Sequence, residues 1–374
     1  MNIIFLLQSL AVRGGIERTL TDKANCLAVQ GHQVTMVTYE QGQHRLAFSL
    51  DKRVCVEDLD CRFFTLYRFS IIKRLYKMWK MKRRFSFKWN AFVDKLNPDV
   101  VVMTTYADKF RKEIMSVSGR TKIVIESHSA FVHDYQSDNL FRKYYLKRDL
   151  YYIKKCDLLL TLTQGDTECW RKIVNNVACV PNPVTFYCEE VNALNKETGR
   201  IISVGRLHSV KRFDRLIESF SLISSKYPSW HIVIFGGGNE KEELMMLIEK
   251  KGLKSKITIH DPTDDIYQEY QRSQFLVMSS DYEGFSLVII EAMACGIPTV
   301  STDCPFGPSE IISDGETGLL SKMDAQDLAD KMEWMITHEQ EREEMGRKAH
   351  LAAAKYKKEV VMKQWEKAYM SVVK

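Results

Sequence analysis

The sequence predicts an α/β chain of two Rossmann-like, doubly wound domains facing a cleft. Its 374 residues exceed what one hydrophobic core usually supports. Both halves open with the same succession of a short apolar run, a glycine-bearing loop and a helical pattern. Within each half, short apolar runs then alternate with helical stretches, which is the pattern of βαβ units and parallel sheets.

In the first half the opening strand is 3–7, the loop holds Arg13, Gly14 and Gly15, and a helix over 17–30 ends at Gly31 before a strand at 34–39. Further strands are predicted at 100–103, 123–126 and 158–161. The second half begins with a strand at 201–204, the pair Gly205-Arg206 and a helix over 213–226, closed by Pro228 before a strand at 231–235. Strands at 257–260, 275–279 and 299–301 follow. This organisation gives an N-terminal domain over 1–185, a polar linker at 186–199, a C-terminal domain over 200–355, and a helix at 356–374 packing back on the N-terminal domain. A ligand is expected in the cleft, at the C-terminal ends of the strands of both sheets.

Composition narrows the classes. A hydrophobic fraction of 45% with 27% charged residues is that of a globular protein and excludes wholesale disorder. The run at 3–7 lacks a basic flank and is too short for a signal peptide, so it is read as a buried strand. No stretch is long and apolar enough to span a membrane, which leaves peripheral contact. The nine cysteines are scattered, with no CxxC pair or zinc spacing, and fit a reducing cytoplasm. Charge divides unevenly: residues 1–185 carry 30 Lys+Arg against 18 Asp+Glu, and the remainder 24 against 30. A basic first half suggests an anionic partner: a lipid surface, a phosphorylated acceptor or nucleic acid.

The most informative stretch runs from Ser280 to Pro298. A strand leads into a loop holding Glu283, Ser286 caps a helix, and Gly296 and Pro298 end it. The free N–H groups at the start of that helix, with its dipole worth about 0.3–1 kcal/mol, suit a diphosphate. Glu283 and Glu291 flank this anion site. Glu291 lies in a mostly apolar helix, where a buried carboxylate needs a partner. Carboxylates there suit sugar and ribose hydroxyls. Arg206 and Lys211 follow the strand at 201–204 directly, and two cations at that edge would neutralise a leaving diphosphate without a metal, each charge-assisted bond being worth roughly 1.5–3 kcal/mol.

Glu283-x7-Glu291, Gly205-Arg206 with Lys211 and Phe213-Asp214, and Gly14-Gly15 after the first strand together resemble the retaining GT-B glycosyltransferases of family 4. The resemblance covers nearly the whole chain, and 285–300 is its most specific part. It implies an N-terminal acceptor-binding domain and a C-terminal nucleotide-sugar-binding domain. Arg206 and Lys211 would hold the donor diphosphate, Glu291 the ribose and Glu283 the transferred sugar. The amides of Phe285, Ser286 and Leu287 would cap phosphate and sugar oxygens, while Gly14 and Gly15 let the first loop approach the donor. His128 matches the position of a histidine near the donor sugar in this family. Such enzymes need no metal or other cofactor and use no protein nucleophile; the leaving phosphate itself deprotonates the acceptor.

Three further features are weaker. The loop 260–263, where many relatives have a glycine, is placed near the nucleobase; it leaves the base open, and a UDP-sugar is the favoured donor. Asp58-Leu59-Asp60 matches the metal motif of the other large glycosyltransferase fold but is read as a solvated turn. Gly236-Gly237-Gly238 lacks a dinucleotide spacing and is read as a strand-to-helix turn.

Between Arg62 and Trp89 there is no acidic residue, and ten cations are interleaved with aromatics. Phe69, Ile72, Leu75 or Tyr76, and Trp79 recur at helical spacing, so the segment 62–89 is read as a basic amphipathic helix that docks on an anionic leaflet. Residues 142–148 extend the same face. No nucleic-acid-binding motif accompanies it, so nucleic acid is not expected as a partner. The expected protein is a cytoplasmic, peripheral-membrane hexosyl- or N-acetylhexosaminyltransferase of bacterial polysaccharide synthesis, acting on a lipid-linked or glycan acceptor. Its rivals are a sugar-nucleotide epimerase or phosphorylase on the same fold, and a non-catalytic module of a polysaccharide assembly complex.

Overall fold

The computed structural model describes the whole chain except Arg13, 106–109, 132–134, 136–139, 190–196 and Lys374, together with the side chains of Tyr67, Leu140 and Phe141. It forms two compact units, Met1–Val180 with Met362–Lys374, and Pro181–Val361.

The first unit is built on a seven-stranded parallel sheet, β1 (Asn2–Leu7), β2 (Gln33–Thr38), β3 (Cys55–Asp58), β4 (Val100–Thr104), β5 (Lys122–Glu126), β6 (Leu158–Thr161) and β7 (Val177–Cys179), in the order β3-β2-β1-β4-β5-β6-β7. The central strands are apolar throughout because both faces are covered by helices. Among those helices are α1 (Gly15–Val29), α2 (Ile71–Leu96), α3 (Leu140–Ile153) and α4 (Gln164–Arg171). The strand order reverses between β1 and β4, which makes that point the topological switch of the sheet.

The second unit repeats the plan with six parallel strands, β8 (Arg200–Val204), β9 (His231–Phe235), β10 (Ile257–His260), β11 (Phe275–Met278), β12 (Thr299–Thr302) and β13 (Gly318–Ser321), ordered β10-β9-β8-β11-β12-β13. On one face Ile201, Ile232, Ile234, Phe275 and Val277 pack under α5 (Phe213–Ile223), α6 (Lys241–Lys250) and α8 (Ala325–Thr337). On the other, Ile202, Val233, Leu276 and Met278 pack under α7 (Leu287–Ala294) and α9 (Glu339–Ala353). Its switch point lies between β8 and β11.

The predicted strands are all present, with bounds moved by a residue or less, and three more join them. β3 was hidden by its sequence: Cys55, Val56 and Glu57 are exposed at the sheet edge. Asp58 is therefore not in a solvated turn. It closes β3, and its carboxylate accepts from the Thr38 hydroxyl at 3.1 Å and the Gly42 amide at 2.9 Å. The helix predicted over 213–226 ends at Ile223.

Candidate functional site

In the second unit the loop after β8 is stitched to the loop after β9. Gly205 N–H donates to Phe235 O and Leu207 N–H to Gly237 O, both at 3.0 Å. The glycine triplet makes this possible: a Cβ at Gly236 would lie 1.9 Å from Gly205 O, and one at Gly238 2.2 Å from Leu207 O. The triplet is thus a strand-to-helix turn that also forms the bed beneath Arg206. Arg206 is exposed and makes no ion pair among the described residues.

Lys211 ends a short 3-10 turn, Ser209–Lys211, and is followed by Arg212 in the left-handed region at φ +50°. That costly conformation is held by charge. The Arg212 guanidinium bonds Asp214 at 2.9 Å and Asp281 at 3.2 Å, and Arg215 binds the same Asp281 at 2.6 Å. The Ser279 hydroxyl donates to Lys211 O at 2.9 Å, and Asp281 N–H to Val210 O at 2.9 Å. The two loops are thereby fixed to each other, and the Lys211 ammonium lies 2.6 Å from Glu283 Oε1. The same oxygen accepts from the Ser280 hydroxyl at 2.7 Å.

Three residues after Glu283, Ser286 takes the N-cap position of α7 in extended conformation. Its hydroxyl does not cap the helix as the sequence suggested; it turns to Met278 Sδ at 3.1 Å. The leading amides of α7 consequently keep their hydrogen-bonding capacity for an outside acceptor. Gly307 protects this geometry: a Cβ there would approach Glu283 Cβ to 3.2 Å and Ser286 N to 3.5 Å. One turn into α7 beyond these amides, Glu291 is 7% exposed. Its carboxylate accepts from the Thr185 hydroxyl at 2.8 Å and the Tyr270 hydroxyl at 3.1 Å. Burial and the Glu291 charge push the Tyr270 phenol well above its ordinary pKa, so it stays a donor.

The first unit holds the remaining predicted residues. Gly14 is the N-cap of α1 and Gly15 its first residue. A Cβ at Gly14 would lie 2.2 Å from Glu17 Oε2, the movable end of a flexible side chain, so only the present position of that carboxylate depends on the glycine. Arg13 lies outside the described residues. His128 follows β5, but its side chain is only 2% exposed, with Nε2 at 2.8 Å from Glu126 Oε2. Burial, against the opposing pull of Glu126, lowers its pKa below the ordinary imidazole value, which favours the neutral ring.

The structure therefore joins Lys211, Glu283 and the Phe285–Ser286–Leu287 corner in one constellation, with Glu291 on the same helix. Sequence reasoning missed Asp281, Arg215, Ser280 and Gly307, the residues that hold it. The Asp-x-Glu spacing of Asp281 and Glu283 was visible; the αL residue that Asp281 secures was not. Among the described residues, no group of three or more His, Cys, Asp or Glu side chains has the geometry of a metal site.

Helix α2 carries only residues 71–89 of the basic aromatic segment. The helix predicted over 62–89 is broken, with Phe63–Arg68 in a separate 3-10 turn and Phe69 ahead of α2, and of the α2 residues only Phe85, Trp89 and Val93 are buried. Ile71, Ile72, Leu75, Tyr76, Trp79 and Phe87 are each more than half exposed. No described helix is long and apolar enough to cross a membrane.

Comparison with known proteins places this architecture. The Glycosyltransferase Family 4 model matches residues 13–186, and the Glycosyl transferases group 1 model matches 189–351. The chain carries, in that order, the two domains of a GT-B glycosyltransferase. An uncharacterized glycosyltransferase of Haemophilus influenzae is 26% identical over 97% of this chain and 98% of that protein. In Campylobacter jejuni, a GalNAc-alpha-(1->4)-GalNAc-alpha-(1->3)-diNAcBac-PP-undecaprenol alpha-1,4-N-acetyl-D-galactosaminyltransferase is 25% identical over 100% of this chain and 99% of that protein. A TarM variant from S. aureus, solved with fondaparinux, alpha-GlcNAc-glycerol and UDP, shares the fold with a TM-score of 0.78 at 16% identity, covering 99% of this chain and 100% of that one.

Proposed function

We propose that this glycosyltransferase moves a hexosyl or N-acetylhexosaminyl group from a UDP-sugar to a lipid-linked or polysaccharide acceptor with retention of anomeric configuration, and without a metal. The observation that carries the reading is the Lys211–Glu283 ion pair at 2.6 Å, set just before the uncapped N-terminus of α7.

Bond cleavage at the anomeric carbon puts negative charge on the departing diphosphate. Lys211, the exposed Arg206 and the Leu287 amide are the donors that receive it, and fixed donors aimed at developing charge lower the barrier most. Glu283 orients Lys211 and accepts from a sugar hydroxyl. Glu291, oriented by the Thr185 and Tyr270 hydroxyls, is the carboxylate that accepts from the ribose. Gly14, Gly15 and His128 of the first unit are assigned to donor recognition by the resemblance to family 4 alone. The β-phosphate oxygen of the leaving group takes the acceptor proton, so no protein carboxylate acts as nucleophile.

Support for the acceptor class comes from the undecaprenol-linked acceptor in the name of the Campylobacter jejuni relative. UDP is supported by the ligand of the S. aureus TarM complex. The exposed aromatic and basic turns at the start of α2 supply the attachment to an anionic leaflet on the cytoplasmic side.

The test is turnover of UDP- and GDP-sugars by the purified protein with undecaprenyl-diphosphate-linked acceptors, in EDTA, reading the product's anomeric configuration by NMR. Transfer from a UDP-sugar with retention is the expected result. Absence of turnover with every donor, or an inverted product, overturns the proposal.

A further inference from the structure

Four side chains from three distant segments close around one carboxylate in the first unit. Glu126, at the end of β5, is fully buried. Its Oε2 accepts from the Lys23 ammonium of α1 at 2.8 Å and faces His128 Nε2 at 2.8 Å. Its Oε1 accepts from the hydroxyl of Tyr369, on the C-terminal helix Lys358–Val373. Trp365, one turn earlier on that helix, covers the Lys23 ammonium with its ring, 2.8 Å from nitrogen to centroid. Lys23, Trp365 and Tyr369 are all fully buried. Lys23 and Tyr369 are 103 and 243 positions from Glu126 in sequence, and a buried charge cluster of this kind is costly unless every member is paired.

The hydrogen bonds fix the protons. A carboxylate holding Lys23 only accepts, and Lys23 holds Glu126 down to a pKa of about 2 against the cost of burial. The His128 nitrogen facing it must then be the donor. In a neutral ring that leaves Nδ1 as the nitrogen with the lone pair. Among the described residues the groups that face the cluster are Lys23 from α1, Glu126 from β5 and Tyr369 from the C-terminal helix. The Ser127 hydroxyl donates to Ser129 O at 3.0 Å and braces the turn that carries the ring.

We propose that Lys23, Glu126 and Tyr369 are positioning residues for His128, holding its ring with the proton on Nε2 and leaving Nδ1 as the nitrogen that can accept from a substrate hydroxyl. This rests on the reading of His128 as a residue of the donor-sugar site. The C-terminal helix thereby contributes to the chemistry through a residue that touches no substrate.

The test does not depend on activity at first. Imidazole nitrogen shifts of the full-length protein with 15N-labelled histidine, His128 being assigned against His128→Gln, report the tautomer and the titration midpoint together. An Nε2-protonated ring is expected. Glu126→Gln removes the negative charge and moves the midpoint to lower pH. Tyr369→Phe removes a competing donor, strengthens the carboxylate as an acceptor and moves the midpoint to higher pH. Loosened packing alone does not produce opposite shifts. In kinetics, Glu126→Gln lowers kcat roughly tenfold or more, the size of one charge-assisted hydrogen bond, with donor KM little changed. A wild-type ring protonated on Nδ1, or shifts of the same sign in both variants, overturns the positioning claim. An Nε2-protonated ring in a chain whose His128→Gln variant turns over at the wild-type rate overturns instead the catalytic reading of His128.

Discussion

Replacing Lys211 with methionine separates two roles of one side chain. The ammonium is 24% exposed and its partner Glu283 9% exposed, so the pair lies between a surface bridge, worth up to about 1 kcal/mol, and a buried one, whose rupture costs about 3–5 kcal/mol. The Ser280 hydroxyl stays on the carboxylate at 2.7 Å and limits the damage, which gives a stability loss of about 1–3 kcal/mol in urea unfolding. The functional loss is larger. A charge-assisted bond to the leaving diphosphate contributes roughly 1.5–3 kcal/mol, so kcat/KM for the UDP-sugar falls roughly 10- to 150-fold, most of it in kcat because the charge develops during cleavage. Lys226→Met is the control: its pair with Glu333 at 3.3 Å is exposed and lies outside the site, so both readings stay near wild type. The assay is release of UDP at saturating acceptor, alongside urea midpoints. A Lys211→Met enzyme that is destabilised but keeps kcat/KM within twofold refutes the argument, because the lysine would then serve the fold alone.

Three other outcomes follow from the same geometry. Glu291→Gln keeps the size of a side chain that accepts from Thr185 and Tyr270 but weakens its acceptance from a ribose; donor KM rises roughly tenfold with kcat little changed, as initial rates against donor concentration will read. The pH dependence of stability carries the mark of the buried Lys23–Glu126 pair. The Glu126 carboxyl sits at about 2 in the fold against an ordinary 4.5, so the stability it contributes is present above pH 4.5 and lost as pH falls through 2. Lys23 is lowered from 10.5 to about 8 by burial, so its cost below pH 8 is relieved as pH rises toward 10.5. Urea midpoints from pH 2 to 10 test both signs, and a flat profile contradicts the pairing. Reversing Lys73, Arg74 and Lys77 to glutamate on the exposed start of α2 turns attraction to an anionic leaflet into repulsion, at about 1 kcal/mol per contacting cation. Co-sedimentation with phosphatidylglycerol vesicles at low salt then drops sharply, and undiminished binding rules that helix out as the anchor.

Strands with both faces covered were legible because their sequence is unbroken: Val100 to Met103 and Leu158 to Leu160 are wholly apolar. The edge strand Cys55–Asp58 was not legible, because an exposed edge needs no apolar run and this one reads as a charged loop. Helix α2 shows what periodicity leaves open. Ile72, Leu75 and Trp79 recur at helical spacing and face outward, while the core is reached by Phe85, Trp89 and Val93 further along. Spacing identifies a stripe but not what it covers.

In the site, Glu283, Glu291, Arg206 and Lys211 stood out by their place after apolar strands. Their supports did not. Asp281 acts by securing Arg212 in a left-handed conformation that no local pattern announces. Glu126 looked like the last residue of a strand, since its partners come from Lys23 and from Tyr369, 243 residues away. The Ser286 cap was read from residue type alone, and packing against Met278 turned the hydroxyl elsewhere.

Calorimetric titration of UDP and of uridine into the wild-type chain and its Arg206→Ala variant tests the central claim most directly. If Arg206, Lys211 and the leading amides of α7 receive the donor diphosphate, UDP binds the wild type far more tightly than uridine does, and Arg206→Ala loses roughly 10- to 150-fold for UDP while uridine binding stays unchanged. Equal affinity of wild type and variant for UDP would mean that the diphosphate lodges elsewhere.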